Sequence, residues 1–145
     1  MTWQRIRLVV SPNHPLAHRR VVSLSDAARE PFVGLTHEEY PEFYEYLSAI
    51  FRLVKEKPRI AEEHDSFSGI ISAVEAGTGV AVTVDFGYSF GNRVKFLHLT
   101  PEPKPFSIGI VATKGRLSPA AEKFWQCAKE AASPAARPKT LGARQ

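Results

Sequence analysis

Three features of this 145-residue chain predict an α/β fold with a mixed, mostly parallel sheet flanked by helices. Apolar segments of strand length alternate with segments of helical periodicity, in the order strand, helix, strand, helix, strand. Gly79-Val80-Ala81-Val82-Thr83-Val84 is nearly continuously apolar, as in a strand covered on both faces. Phe43, Leu47, Ile50, Phe51 and Val54 recur at the spacing of one helical face.

The elements follow in order. Ile6 to Val10 reads as a strand ending at the turn cluster Ser11-Pro12-Asn13. Ser23 to Arg29 reads as a short helical turn with serine at its start, and Pro31 to Leu35 as a short buried strand. Thr36 and Glu39 have the spacing of a capping box ahead of the helix that carries the Phe43 stripe. That helix is expected to run to Val54, ending in Lys55 and Lys57 before Pro58. Arg59 to His64 reads as a strand, and Asp65 or Ser66 as the cap of a helix whose stripe is Phe67, Ile70, Ile71 and Val74. Gly77 stands at a natural helix stop before the apolar strand. Val94 to Leu99 and Phe106 to Val111 are two further strands, and Ser118-Pro119 opens a last helix through Phe124, Ala128 and Ala131. The stretch from Pro134 onward is expected to be a disordered basic tail.

Composition narrows the classes. With 43% apolar and 23% charged residues the chain has the make-up of a globular domain. No apolar run reaches the roughly 20 residues of a membrane span. The N-terminus Met-Thr-Trp-Gln-Arg-Ile-Arg has no signal-peptide anatomy, so a soluble cytoplasmic protein with no membrane partner is expected. The single Cys127 allows neither an internal disulfide nor a cysteine-built metal site. The formal charge is +4, but Arg137, Lys139 and Arg144 supply most of it from the tail. The body is nearly neutral, which argues against direct DNA contact.

Catalytic and metal chemistry find little support. Pro15 between His14 and His18 spoils the helix that would put both on one face. There is no HExxH and no Gly-x-Ser-x-Gly elbow, and Ser66-Phe67-Ser68-Gly69 reads as helix capping rather than a nucleophile. Gly77-Thr78-Gly79 follows a helix and precedes a strand, the reverse of a dinucleotide fingerprint. Cys127 reads as a semi-buried, inert thiol. No catalytic residue, metal or cofactor is therefore expected. Tyr40, Phe43, Tyr44, Tyr46 and Phe51 make an aromatic-rich helix, open to either internal packing or a partner interface. In an α/β sheet, ligands bind beyond the carboxyl ends of strands, here around Thr36, around Asp65 to Ser68 and around Thr83 to Phe86.

Several segments together carry a family resemblance. His14-Pro15-Leu16-Ala17, Ser23-Leu24-Ser25-Asp26 and Glu30-Pro31-Phe32-Val33 come first. Ile70-Ile71-Ser72-Ala73-Val74-Glu75-Ala76-Gly77-Thr78-Gly79-Val80-Ala81 follows, and Phe106-Ser107-Ile108-Gly109-Ile110-Val111 with Leu117-Ser118-Pro119 closes the series. In this order and spacing, over about residues 5 to 131, they resemble the effector-binding domain of LysR-type transcriptional regulators.

The resemblance implies a lobe like those of type II periplasmic solute-binding proteins, without the DNA-reading domain. Residues 1–113 would be the distal lobe, 114–133 the hinge return and closing helix, and 134–145 the tail. It implies a non-enzymatic sensor whose small-molecule effector, a carboxylate or aromatic acid, sits between two lobes and biases transcription. It also implies a homo-oligomer, or pairing with the other lobe. By position, the ligand-binding residues would be Thr36, His37, Ser66, Phe67, Ser68, Thr83, Val84 and Phe86. A helix start at Ser66 offers free N–H groups and a partial positive charge to an anion, whereas Asp65 and Asp85 oppose one unless the first caps the helix and the second points away. The alternatives are an interaction module that pairs with another regulator's lobe, or a truncated remnant.

Overall fold

The computed structural model describes residues 2–85 and 90–132. Phe86 and the tail from Pro134 therefore lie outside the described residues. The chain divides into two compact units, Gln4–Phe106 and a second comprising Met1–Trp3 with Ser107–Gln145.

In the larger unit, β2 (Ile6–Val10) is the central strand of a four-stranded sheet and all five of its residues are buried. It runs antiparallel to β6 (Ala81–Val84), with Leu8 opposite Val82, and antiparallel to β7 (Lys95–Thr100), with Leu8 opposite Leu97. The edge strand β3 (Val21–Ser23) pairs in parallel with β7. A second, parallel pair joins β4 (Pro31–Leu35) to β5 (Arg59–His64), with a register shift between Phe32 and Val33. One parallel bridge, Phe32 to Val80, ties this pair to the start of β6. There Val33 N–H donates to the Val80 carbonyl and Val80 N–H to the Pro31 carbonyl, both at 2.8 Å. A side chain at Gly79 would collide with the Pro31 carbonyl oxygen, so glycine is what allows the strands to meet.

Helices cover both faces. On one side, α1 (Leu24–Ala28) and α2 (Pro41–Ile50) pack over Ile6, Leu8, Val10, Val22, Phe32 and Leu97. Phe51, just past α2, meets Phe32 edge to face at 5.7 Å. On the other side, α3 (Phe67–Glu75) sets Ile70, Ile71 and Val74 against Val9, Val33, Ala81 and Val94. The alternation of Ile6, Leu8 and Val10 with Val9 places β2 in both cores, as the strand's period of two requires. Arg7, on the Val9 side, is buried as well. Its guanidinium donates to the Ile6 carbonyl at 3.1 Å and lies 3.6 Å from Glu102 and 3.9 Å from Asp85.

Local chemistry explains the helix ends. The Ser23 hydroxyl accepts the Asp26 N–H at 3.0 Å, and the Ser66 hydroxyl accepts that of Gly69 at 3.3 Å. At the other end of α3, Gly77 has φ +83°. Its N–H reaches the Val74 carbonyl and the Thr78 N–H reaches the Ala73 carbonyl, which together close a Schellman motif. The capping-box expectation at Thr36 needs correction. The Thr36 hydroxyl does donate to Glu39 at 3.1 Å, but the pair closes a turn ahead of the helix. Pro41 disfavours helical backbone at Tyr40, so α2 begins at Pro41 and its cap, Tyr40, makes no side-chain capping bond. The helix also stops at Ile50 rather than Val54. Phe51 and Val54 stay buried in the turns that follow, whose carbonyls accept three hydrogen bonds from Lys57 Nζ at 2.7 to 3.1 Å.

The smaller unit is different in kind. A two-stranded ribbon pairs β1 (Thr2–Gln4), which nothing in the sequence pattern announces, with β8 (Phe106–Ile108). The strand expected to reach Val111 thus ends at Ile108. The last helix, α4 (Pro119–Ala132), starts where expected, with the Ser118 hydroxyl accepting the Ala121 N–H at 3.3 Å. None of its residues is buried: Phe124 is 62% exposed, and Cys127 is exposed rather than semi-buried.

Candidate functional site

Beyond the Phe32–Val80 bridge, no ladder pairing joins β4 to β6 among the described residues. A pocket of about 440 Å³ opens at the carboxyl ends of these two strands. Leu35 closes β4 on one side, and Val82, Thr83 and Val84 of β6 form the other, with Ile6 behind them. The first turns of α2 contribute Tyr40, Glu42, Phe43, Tyr46 and Leu47, the start of α3 contributes Phe67 and Ile70, and Phe106 completes the wall. The pocket joins the two cores: Phe43, Tyr46 and Val84 pack on the α2 side, and Leu35 and Phe67 on the α3 side.

The lining is apolar and aromatic. Tyr46 stacks edge to face on Phe106 at 5.2 Å, and Phe67 packs against Phe90 at 5.9 Å. Two of the polar lining groups are already engaged. The Tyr40 hydroxyl donates to the Asp65 carbonyl at 3.2 Å and the Tyr46 hydroxyl to the Lys104 carbonyl at 3.4 Å. Burial raises the Tyr46 hydroxyl above its ordinary pKa, so it stays a neutral donor. Among the described residues Glu42 is the one charged residue of the lining.

A polar rim lies beside the pocket at the ends of β4 and β5. Thr36 N–H donates to the His64 carbonyl at 3.0 Å, and His37 N–H to Glu63 at 3.3 Å. The His37 ring meets Tyr44 at 4.5 Å. The Tyr44 hydroxyl shares its proton between the Leu35 carbonyl, at 2.7 Å, and the Glu63 carboxylate. Burial first, and then the hydrogen bond and charge of Glu63, hold this hydroxyl protonated well above the ordinary tyrosine value.

Of the residues expected by position, the structure brings Phe67, Thr83 and Val84 together in the pocket lining. Thr36, His37, Ser66 and Ser68 do not line it. Thr36 and His37 belong to the rim, and the Ser66 hydroxyl is engaged in capping α3. Ser68 is exposed, its hydroxyl 3.4 Å from that of Ser66. Phe86 lies outside the described residues. The aromatic richness of the α2 segment was the signal for Tyr40, Phe43 and Tyr46, but no sequence signal placed Ile6 or Phe106 in the same wall. The histidines act locally: His14 Nδ1 accepts the Leu16 N–H at 3.0 Å while Nε2 faces Glu30 at 3.1 Å, and His64 pairs with Glu62 at 2.6 Å. Among the described residues no group of three or more His, Cys, Asp or Glu is placed to hold a metal ion, and no helix is long and apolar enough to cross a membrane.

The model of the LysR substrate-binding domain family matches residues 4–133. The chain belongs to this family. The resemblance read from its residues is thereby confirmed, and the expected α/β lobe with its mixed sheet is the fold observed. The HTH-type transcriptional regulator TtuA of Agrobacterium vitis is 33% identical over 82 residues, covering 57% of this chain and 27% of TtuA. HinK, a LysR family transcriptional regulator from Pseudomonas aeruginosa, superposes with a TM-score of 0.71 at 26% identity, over 90% of this chain and 46% of HinK. The effector-binding domain of QuiR, solved in complex with shikimate, shares the fold with a TM-score of 0.67 at 20% identity, over 90% of this chain and 62% of that one. The chain thus spans less than half the length of the two regulators it matches, TtuA and HinK.

Proposed function

We propose that this chain forms one wall of a small-molecule effector site in a LysR-type transcriptional regulator, and that it acts by binding rather than catalysis. The observation that carries the reading is the pocket at the carboxyl ends of β4 and β6, the place where open α/β sheets take ligands. The shikimate held by the effector-binding domain of QuiR supports it by fold analogy. Phe67, Thr83 and Val84 are proposed as direct contacts, with Thr36, His37, Ser66 and Ser68 as rim or neighbouring residues and Phe86 as a further contact from its position in the sequence alone. The distal lobe is assigned to residues 1–113, the return and closing helix to 114–133, and the basic tail to 134–145.

A ligand filling this pocket shifts a regulator's conformational equilibrium only by its differential affinity for the two states, and that difference would be the signal passed to transcription. The regulator relatives and the capping role of Ser66 favour binding over chemistry, with no cofactor required and a cytoplasmic setting. Amide chemical-shift mapping of the chain during titration with a metabolite mixture tests the site. Shifts are expected at Leu35, Phe67, Ile70, Thr83 and Val84 and should be lost in Tyr46→Ala. Shifts that map elsewhere and survive Tyr46→Ala would refute it.

A second reading, pairing with another lobe or a second copy, is favoured by the exposed apolar residues Trp3, Ile110, Val111 and Phe124. Sedimentation over a concentration series should then show association that Phe124→Ser weakens, whereas a monomer at all concentrations would set self-pairing aside.

A further inference from the structure

From the pocket's lining we infer a ligand class: an aromatic molecule that turns an amine, not a carboxylate, toward this wall. The inference rests on the effector-pocket reading above. It departs from the carboxylate or aromatic acid that the family resemblance implies.

Four observations carry it. Tyr40, Phe43, Tyr46, Phe67 and Phe106 present ring faces and edges from three directions, the surface a flat aromatic ring packs against. The volume, about 440 Å³, suits a bicyclic molecule rather than a peptide or a second domain. Among the described residues no Lys, Arg or His lines the pocket, so a carboxylate turned toward this wall would lose its hydration without gaining a cationic partner from it. The cation opposite Thr83 in the β2/β6 register, Arg7, is already paired with Glu102 and Asp85.

The polar groups that remain point the same way. The Tyr40 and Tyr46 hydroxyls donate to backbone carbonyls, which leaves the Glu42 carboxylate and the Thr83 hydroxyl with no hydrogen-bond partner among the described residues. Both accept hydrogen bonds, and Glu42, exposed on the α2 side, adds a negative charge. An ammonium gains from the Glu42 charge and from the tyrosine and phenylalanine faces.

Tryptamine and indole-3-acetate share one ring system and differ in the sign of their charge, so the pair isolates the inference. Calorimetric titration of the 145-residue chain should show tryptamine binding about tenfold more tightly than indole-3-acetate, a difference of the size two exposed charges exert on Glu42. Glu42→Gln should bring the two within about threefold of each other, and Tyr40→Ala should weaken both. If indole-3-acetate binds as well as tryptamine and Tyr40→Ala weakens it, the ligand class is overturned while the pocket stands. A tryptamine preference that survives Glu42→Gln also overturns the inference. If tryptamine, indole-3-acetate and neutral indole all fail to bind, or bind indifferently to Tyr40→Ala and Tyr46→Ala, the effector-pocket reading itself falls.

Discussion

Helices α3 and α4 both carry an apolar stripe, yet they end in opposite situations. The nine-residue α3 buries Ile70, Ile71, Ala73 and Val74 against the sheet, while the fourteen-residue α4 buries nothing and leaves Phe124 62% exposed. The difference shows what a stripe specifies. It fixes which side of a helix is apolar, and it is silent on whether a partner surface exists in the chain. In the larger unit β2, β4 and β6 supply that surface; outside it the only strands among the described residues are the two short ones of the β1–β8 ribbon, three residues each.

The largest effect that would sharpen this contrast is expected at Phe51. Fully buried and edge-on to Phe32, it should cost about 3–5 kcal/mol on Phe51→Ala, read from urea unfolding of the larger unit. Ser66→Ala, which removes the cap of α3, should cost about 1 kcal/mol in the same measurement. An alkaline effect comes next. Because folded Tyr44 keeps its proton while the unfolded chain releases it near pH 10, stability is full below about pH 10 and falls as pH rises above it. Tyr44→Phe should flatten that decline in a pH series of unfolding curves. The smallest effect is expected at Phe124: within about 0.5 kcal/mol for Phe124→Ala in the chain alone. A loss comparable to that at Phe51 would break the comparison, since it would mean that α4 is covered in solution.

The elements were legible where punctuation residues enclose them. Pro31 opens the strand Pro31–Leu35, Pro58 and Asp65-Ser66 flank the strand Arg59–His64, and Ser66 and Gly77 bracket α3 as cap and stop. The start and end of α2 were less legible, because Pro41 overrides the Thr36–Glu39 spacing and Lys57 reaches back to the carbonyls of the turns that follow the helix. For the site, loop position named Phe67, Thr83 and Val84, which line the pocket, together with Thr36, His37, Ser66 and Ser68, whose polar groups are engaged locally. Polar loop residues look like ligands in a sequence, whereas apolar walls look like core. This pocket is built of the second kind, with Tyr40, Phe43, Tyr46 and Phe106 as its aromatic surface.

By itself, the sequence determined the alternation of strands and helices, the caps at Ser23, Ser66 and Ser118, and the family, because these depend on residues close to one another along the chain or on their order. Only the tertiary structure decided that Ile6, Leu35, Tyr46, Phe67, Val84 and Phe106 share one cavity, and that the one charge among its described lining residues is a carboxylate. The physical reason is that a pocket wall is assembled by strand register and helix docking. Those bring together residues up to a hundred positions apart, with side chains no different in type from those of the core.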